Sequence, residues 1–181
     1  IYNYRELRAD LEADGFRFRS QTDTEVLLHA LAAWGPKALD RINGMFAFAL
    51  WDRRERRLML ARDRYGVKPL YYANVGNSLS FGSEQKAILA QPEFPRRVDK
   101  EALLEYFTFQ NFFTNKTLLQ DVKLFPPGHF GILDLTAEKP DLKLTQFWDF
   151  DFREPIGTVD AEAYREELDR LFCQAVNRQL V

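Results

Sequence analysis

Apolar positions along this 181-residue chain change their spacing several times, and each change marks an element. Near the start, Tyr4, Leu7 and Leu11 recur at helical spacing behind Asn3-Tyr-Arg-Glu6, which reads as a capping box, and Gly15 closes the helix. Phe16 and Phe18 alternate with polar residues and predict a short strand. A second capping box, Thr22-Asp-Thr-Glu25, opens a helix through Leu27, Leu28, Leu31 and Trp34 to Gly35. A short helical turn over 38–42 precedes the turn signal Asn43-Gly44. The period then falls to two, with strands predicted over 45–52, 58–63, 70–74 and 78–81, the last pair joined by the hairpin residues Gly76-Asn77. Ser83 is placed to cap a short helix through Ala87 and Leu89, and Asp99 to cap another through Leu103, Leu104 and Phe107. Residues 110–125 show no clean period and predict irregular structure. Two late strands, 129–135 and 143–150, flank the turn-prone Glu138-Lys-Pro-Asp141, and 155–158 reads as a linker. A final helix over 159–180 puts Tyr164, Leu168, Leu171 and Ala175 on one stripe.

Helices followed by several antiparallel strands suit an α+β layered domain. The length fits one domain plus a linking helix and can bury a sizeable core. With 25 basic and 27 acidic residues there is no basic footprint for nucleic acid. Arg53, Arg54, Arg56 and Arg57 cluster around Glu55, but between two strands, where a solvated hairpin tip is expected. A single cysteine excludes an internal disulfide and fits a reducing compartment. No apolar run reaches the roughly 18 residues that span a bilayer, and no signal peptide opens the chain. A cytoplasmic setting with no membrane partner is expected. Sixteen Phe residues point to a sheet-rich core or a large contact face.

The stretch Met45-Phe-Ala-Phe-Ala-Leu-Trp-Asp52, with Leu58-Met-Leu-Ala-Arg-Asp-Arg-Tyr-Gly-Val-Lys-Pro-Leu-Tyr-Tyr72, closely resembles the glutaminase half of the glutamine-hydrolysing asparagine synthetases. So do Ile1-Tyr-Asn-Tyr-Arg-Glu-Leu7, Thr22-Asp-Thr-Glu-Val26, Phe81-Gly-Ser-Glu-Gln-Lys-Ala87 and Leu124-Phe-Pro-Pro-Gly-His129, five motifs in order over roughly the first 130 residues. The resemblance implies an N-terminal-nucleophile-type α/β/β/α sandwich of antiparallel sheets, here lacking its opening strands and so exposing sheet edges. It implies a partial glutaminase domain over 1–154, then a linker and helix over 155–181 leading toward an absent synthetase domain.

Family members begin with a free cysteine whose thiolate attacks the side-chain amide of glutamine, with its own α-amino group as base. Residue 1 here is Ile1, and the one cysteine, Cys173, falls in the last predicted helix. The family's glutamine-binding Arg and oxyanion Asn-Gly belong upstream, and its Ser-Gly-Gly-x-Asp-Ser ATP loop downstream. The expectation is therefore a fragment with no catalytic residue, inactive by itself. No cofactor is expected in this chain; ATP and Mg²⁺ belong to the synthetase domain of the parent. The expected partners are glutamine and that domain, with a homodimer open.

Asp23 is the one residue that maps onto a substrate contact: in the family the Asp of this motif helps hold the α-amino group of glutamine. An ammonium ligand calls for a fixed carboxylate, because charge-assisted hydrogen bonds are the strong ones. The bland alternative is that Asp23 or a neighbour merely caps the helix, and the roles are compatible, since Thr22 can cap. Arg62, Asp63, Arg64 and Lys68 read as a structural ion-pair knot, or as a surface toward the synthetase domain near the exit of an ammonia channel. Gly66 alone makes no phosphate cradle. Glu84 favours its helix dipole, and Ser83-Glu84 with Lys86 resembles a segment close to the interdomain surface. His29 and His129 stand a hundred residues apart without partners at ligand spacing, so no metal site is expected. Cys173 is expected to be buried or at an interface.

The parent function implied is hydrolysis of glutamine, passage of ammonia to a second domain, and amidation of aspartate activated as β-aspartyl-AMP. Alternatives are another amidotransferase of this type, β-lactam synthetase-like or acting in exopolysaccharide or peptide amidation, or a non-catalytic scaffold. Sugar-phosphate and phosphoribosyl amidotransferases share the glutaminase core but usually lack the run from Lys68 to Ala87.

Overall fold

Three helices fill the first forty residues: α1 (Tyr4–Ala13), α2 (Asp23–Trp34) and α3 (Ala38–Arg41). The computed structural model describes residues 1–75, 78–153 and 160–180. The chain divides into two compact units, Ile1–Gly44 with Asp149–Val181, and Met45–Trp148.

In the first unit Leu7 and Leu11 of α1, Val26, Ala30 and Leu31 of α2, and Ala38, Leu39 and Ile42 are buried. The helix α2 turns Val26 and Ala30 inward and leaves Leu28 half exposed, so its buried face is rotated from the predicted leucine stripe. Asn3 holds the predicted N-cap position of α1, but its side chain makes no cap bond, donating instead to Arg41 O at 2.9 Å and accepting from Asn43 N at 2.9 Å. With Tyr2 N donating to Asn43 O at 2.7 Å, this ties the opening segment to residues 41–44. Residues 16–18 form no strand; Phe16 and Phe18 instead pack against His29 with ring centroids 5.3 and 4.8 Å away. The 19-residue helix α6 (Ala161–Gln179) is capped by Asp160 and has no buried residue. Its stripe is solvent-facing, including Tyr164, Leu168 and Leu171.

The second unit holds two antiparallel sheets. Strands β1 (Ala47–Asp52), β2 (Arg57–Arg62), β6 (His129–Asp134) and β7 (Leu142–Gln146) run in the order β1-β2-β6-β7. Strands β3 (Tyr71–Val75), β4 (Ser78–Gly82) and β5 (Lys123–Leu124) run β4-β3-β5. Leu60 of one sheet packs with Leu70 and Phe125, joined by Ala47, Tyr72, Leu79 and Leu142, which makes the inter-sheet core. A second cluster, Ala73, Ile88, Phe94 and Val122, is completed by α4 (Gln85–Leu89). This layering follows from period-two strands that present one apolar set to each face. The helix α5 (Lys100–Phe109) is capped as expected, Asp99 Oδ1 accepting from Glu101 N and Ala102 N at 3.0 Å. It buries only Ala102, leaving Leu104 and Phe107 exposed. Ser83 is not the cap of α4; Glu84 holds that position without a side-chain bond and pairs with Lys86. The β1–β2 arginines sit on an exposed turn whose N–H groups at Arg54 and Glu55 donate to Asp52. The hairpin pair Gly76-Asn77 and the linker at 155–158 lie outside the described residues.

Candidate substrate-binding site

The N-terminus of α2 concentrates two carboxylates on one turn. Thr22 is extended, with φ −84° and ψ 146°, and its Oγ1 accepts from Glu25 N at 3.3 Å, so Thr22 is the cap. That leaves the Asp23 carboxylate free of capping duty, at the positive end of the helix dipole. Asp23 Oδ2 accepts from the α-ammonium of Ile1 at 2.8 Å, and its side chain keeps 44% exposure. The hydrogen bond from that ammonium, foremost, and its charge hold the Asp23 pKa below the usual carboxylate value against the opposing effect of burial. The docking of residues 1–3 against 41–44 is what brings Ile1 here. If residues precede Ile1, the same nitrogen is a peptide N–H without charge, and the carboxylate is open to another cation.

Behind Asp23, Glu25 reaches back past the cap. Its carboxylate accepts from Arg19 N at 2.8 Å, Ser20 N at 2.6 Å and Ser20 Oγ at 2.6 Å. These donors, the Ser20 hydroxyl first, pull its pKa from 4.5 to about 2. Arg8 donates to Ser20 O at 2.8 Å and lies 4.5 Å over the Phe18 ring. The sequence signals Glu25 as a capping-box residue; that it anchors residues two and three positions before the cap is not readable from spacing.

A group whose folded pKa is depressed stabilises the fold above its ordinary pKa and loses that contribution as pH falls through the folded value. Glu25 therefore contributes in full above pH 4.5 and loses its contribution by about pH 2. Comparing acid unfolding of the protein with that of Glu25→Gln is expected to show a stability gap at neutral pH that closes over this window.

The basic loop and the Pro-Pro-Gly motif are one scaffold. Arg62, 7% exposed, donates to three backbone carbonyls: Lys68 O at 2.7 Å, Phe125 O at 2.6 Å and Gly66 O at 2.6 Å. Burial lowers its pKa, and the neighbouring Asp63 charge opposes that shift. Asp63, 1% exposed, accepts from four backbone amides, those of Tyr65, Val67, Lys68 and Phe46. Of the four residues of the predicted ion-pair knot, Arg62 and Asp63 thus form a charge-to-backbone cage. Gly128 N donates to Asp63 O at 2.9 Å, and at φ +63° a Cβ there would lie 2.5 Å from Trp148 O. Arg64 is half-buried, while Tyr65, Val67 and Lys68 face outward.

His29 lies between Phe16 and Phe18 with Nε2 3.8 Å from Glu25 Oε1, and His129 Nδ1 contacts Pro127 O at 2.7 Å. Among the described residues no group of three or more His, Cys, Asp or Glu could hold a metal. Cys173 is exposed on α6, so of the two expected settings burial within this chain is not the one found. Among the described residues no helix is long and apolar enough to cross a membrane.

A family model described as "Glutamine amidotransferase domain" matches residues 1–148. Asparagine synthetase [glutamine-hydrolyzing] 3 of Bacillus subtilis (strain 168) is 40% identical over 182 residues, covering 100% of this chain and 29% of that protein. Asparagine synthetase [glutamine-hydrolyzing] 1 of the same organism is 37% identical over 176 residues, covering 95% and 26%. The chain thus spans less than a third of these relatives. Among solved structures, the glutamine phosphoribosylpyrophosphate amidotransferase of B. subtilis complexed with ADP and GMP superposes with a TM-score of 0.56 at 20% identity, covering 82% of this chain and 27% of that one. At that identity the likeness bears on fold alone, and the fold is the antiparallel N-terminal-nucleophile type.

Proposed function

This chain belongs to the glutamine amidotransferase domain family, and on that premise we propose that Asp23 binds the α-ammonium of a substrate glutamine. What supports this reading is the Asp23 carboxylate at the start of α2, left free of capping by Thr22 and 44% exposed, within the matched amidotransferase domain. The complete protein then hydrolyses glutamine to glutamate and ammonia through a cysteine upstream of Ile1, with oxyanion donors that also lie upstream. Ammonia passes to a synthetase domain that uses ATP and Mg²⁺ to activate aspartate and yields asparagine.

In this reading residues 1–154 belong to the glutaminase domain, and 155–181 lead into the synthetase domain. The exposed stripe of α6, with Leu168, Leu171 and Phe172, supports a helix awaiting a partner surface of that kind. A homodimer would also cover it, and the molecular mass in solution decides between the two. The setting is the cytoplasm.

The test is an assay of the complete protein with L-glutamine, ATP, Mg²⁺ and aspartate. Glutamate release and asparagine formed in step with AMP are expected. Synthesis that proceeds with ammonia but never with glutamine would defeat the reading of Asp23. Glutamine hydrolysis with amidation of another acceptor would replace aspartate alone.

A further inference from the structure

The connector between α1 and α2 is held through hydrogen bonds at Arg19, Ser20 and Thr22. Ser20 is fixed at every polar atom: its N and Oγ donate to Glu25, its O accepts from Arg8, and its Oγ lies 2.9 Å from Thr22 Oγ1. Thr22 N points back at Ser20 Oγ at 3.4 Å. Phe18, one residue before Arg19, is held between Arg8 above its ring and His29, one helical turn beyond Glu25. All of these contacts converge on the backbone that immediately precedes Asp23.

The Glu25 side chain is 18% exposed and spends three acceptor bonds on residues 19 and 20. Glu25 and Asp23 stand two apart on a helix and therefore face different sides. The Glu25 carboxylate turns to the connector and leaves the Asp23 carboxylate on the other side.

We infer that Glu25 is a positioning residue: by locking residues 19–22 it fixes the start of α2 so that Asp23 meets the α-ammonium of glutamine, which Glu25 itself does not touch. The inference rests on the reading of Asp23 given above. Its consequence is specific. Loosening Glu25 weakens the grip on the α-amino group and leaves recognition of the rest of the ligand intact. An amide at this position offers one acceptor oxygen and turns an NH₂ donor toward the N–H and hydroxyl donors it now faces.

The experiment compares the complete protein with Asp23→Asn, Glu25→Gln and the double variant. Two probes are used: L-glutamine as substrate, and glutaramate (glutamine without its α-amino group) as competitor. Asp23→Asn is expected to raise KM for glutamine about tenfold or more, the size of a lost charge-assisted hydrogen bond, with little change in glutaramate binding. Glu25→Gln is expected to raise the same KM about fivefold, with kcat within about twofold and glutaramate unchanged; in the double variant its effect is expected to vanish, because coupled residues are not additive. Ser20→Ala removes only the hydroxyl from this network, and a smaller shift in the same direction is expected. It carries the test if Glu25→Gln fails to fold. Equal weakening of both probes by Glu25→Gln, or by Ser20→Ala in its place, would overturn the inference, as would full additivity with Asp23→Asn. Failure of Asp23→Asn to separate the two probes would instead overturn the reading of Asp23.

Discussion

Asp63→Ala is expected to be the most damaging single change in the sandwich unit, costing about 3–5 kcal/mol, because several backbone donors lose one buried carboxylate together. Four backbone amides lose their acceptor at once. Each buried donor left unpaired costs about 1–3 kcal/mol, and the total is less than their sum because the loop relaxes and admits water. The neighbouring Arg62 also loses the nearby negative charge that favours its ionised form. At about 4–8 °C per kcal/mol for a unit of this size, the melting temperature is expected to fall by more than about 12 °C. Gly66→Ala probes the same cage more gently. Its new Cβ would meet Arg62 Cζ at 2.9 Å, at a backbone φ of +62°. A smaller loss is expected there, and a thermal melt of both variants ranks them. A drop of only a degree or two for Asp63→Ala would mean that the cage is incidental to the fold.

Asp23→Asn is expected to be nearly silent in the same melt and severe for substrate. The site lies on an exposed helix start, capped by Thr22 whatever stands at position 23. Removing the charge from a hydrogen bond to an ammonium costs about 1.5–3 kcal/mol, which is roughly ten- to hundredfold in affinity. The lower end applies where solvent screens the pair. In the complete protein the KM for glutamine is expected to rise by that factor while ammonia-dependent activity stays unchanged. Loss of both activities together would point to misfolding, and no change in either would remove Asp23 from the site.

Much of the architecture is legible in the sequence because local signals and packing agree. The strand pattern from 45 to 81 and the Asp99 cap survive into the structure. The failures have physical causes. Asn3 satisfies a capping box on paper, but two backbone groups at 41 and 43 compete for its amide and win. Phe16 and Phe18 alternate like a strand, yet among the described residues no strand pairs with them, and the rings fold onto His29. The stripes on α5 and α6 have the right period but remain uncovered, since a stripe reports a tendency to bury and not the presence of a surface. In the site, Asp23 was readable only through resemblance, because a carboxylate in a first helical turn has a sufficient local explanation. The tertiary anchoring by Glu25, Ser20 and Arg8 depends on where a connector folds back, which spacing does not encode.

The most direct test of the whole account is the structure of the complete protein with L-glutamine bound. The α-ammonium of glutamine is expected within hydrogen-bond distance, about 3 Å, of the Asp23 carboxylate, with Thr22 still capping α2 and Glu25 still holding Ser20. Glutamine seated elsewhere, or its ammonium met by another carboxylate while Asp23 turns to solvent, would contradict it.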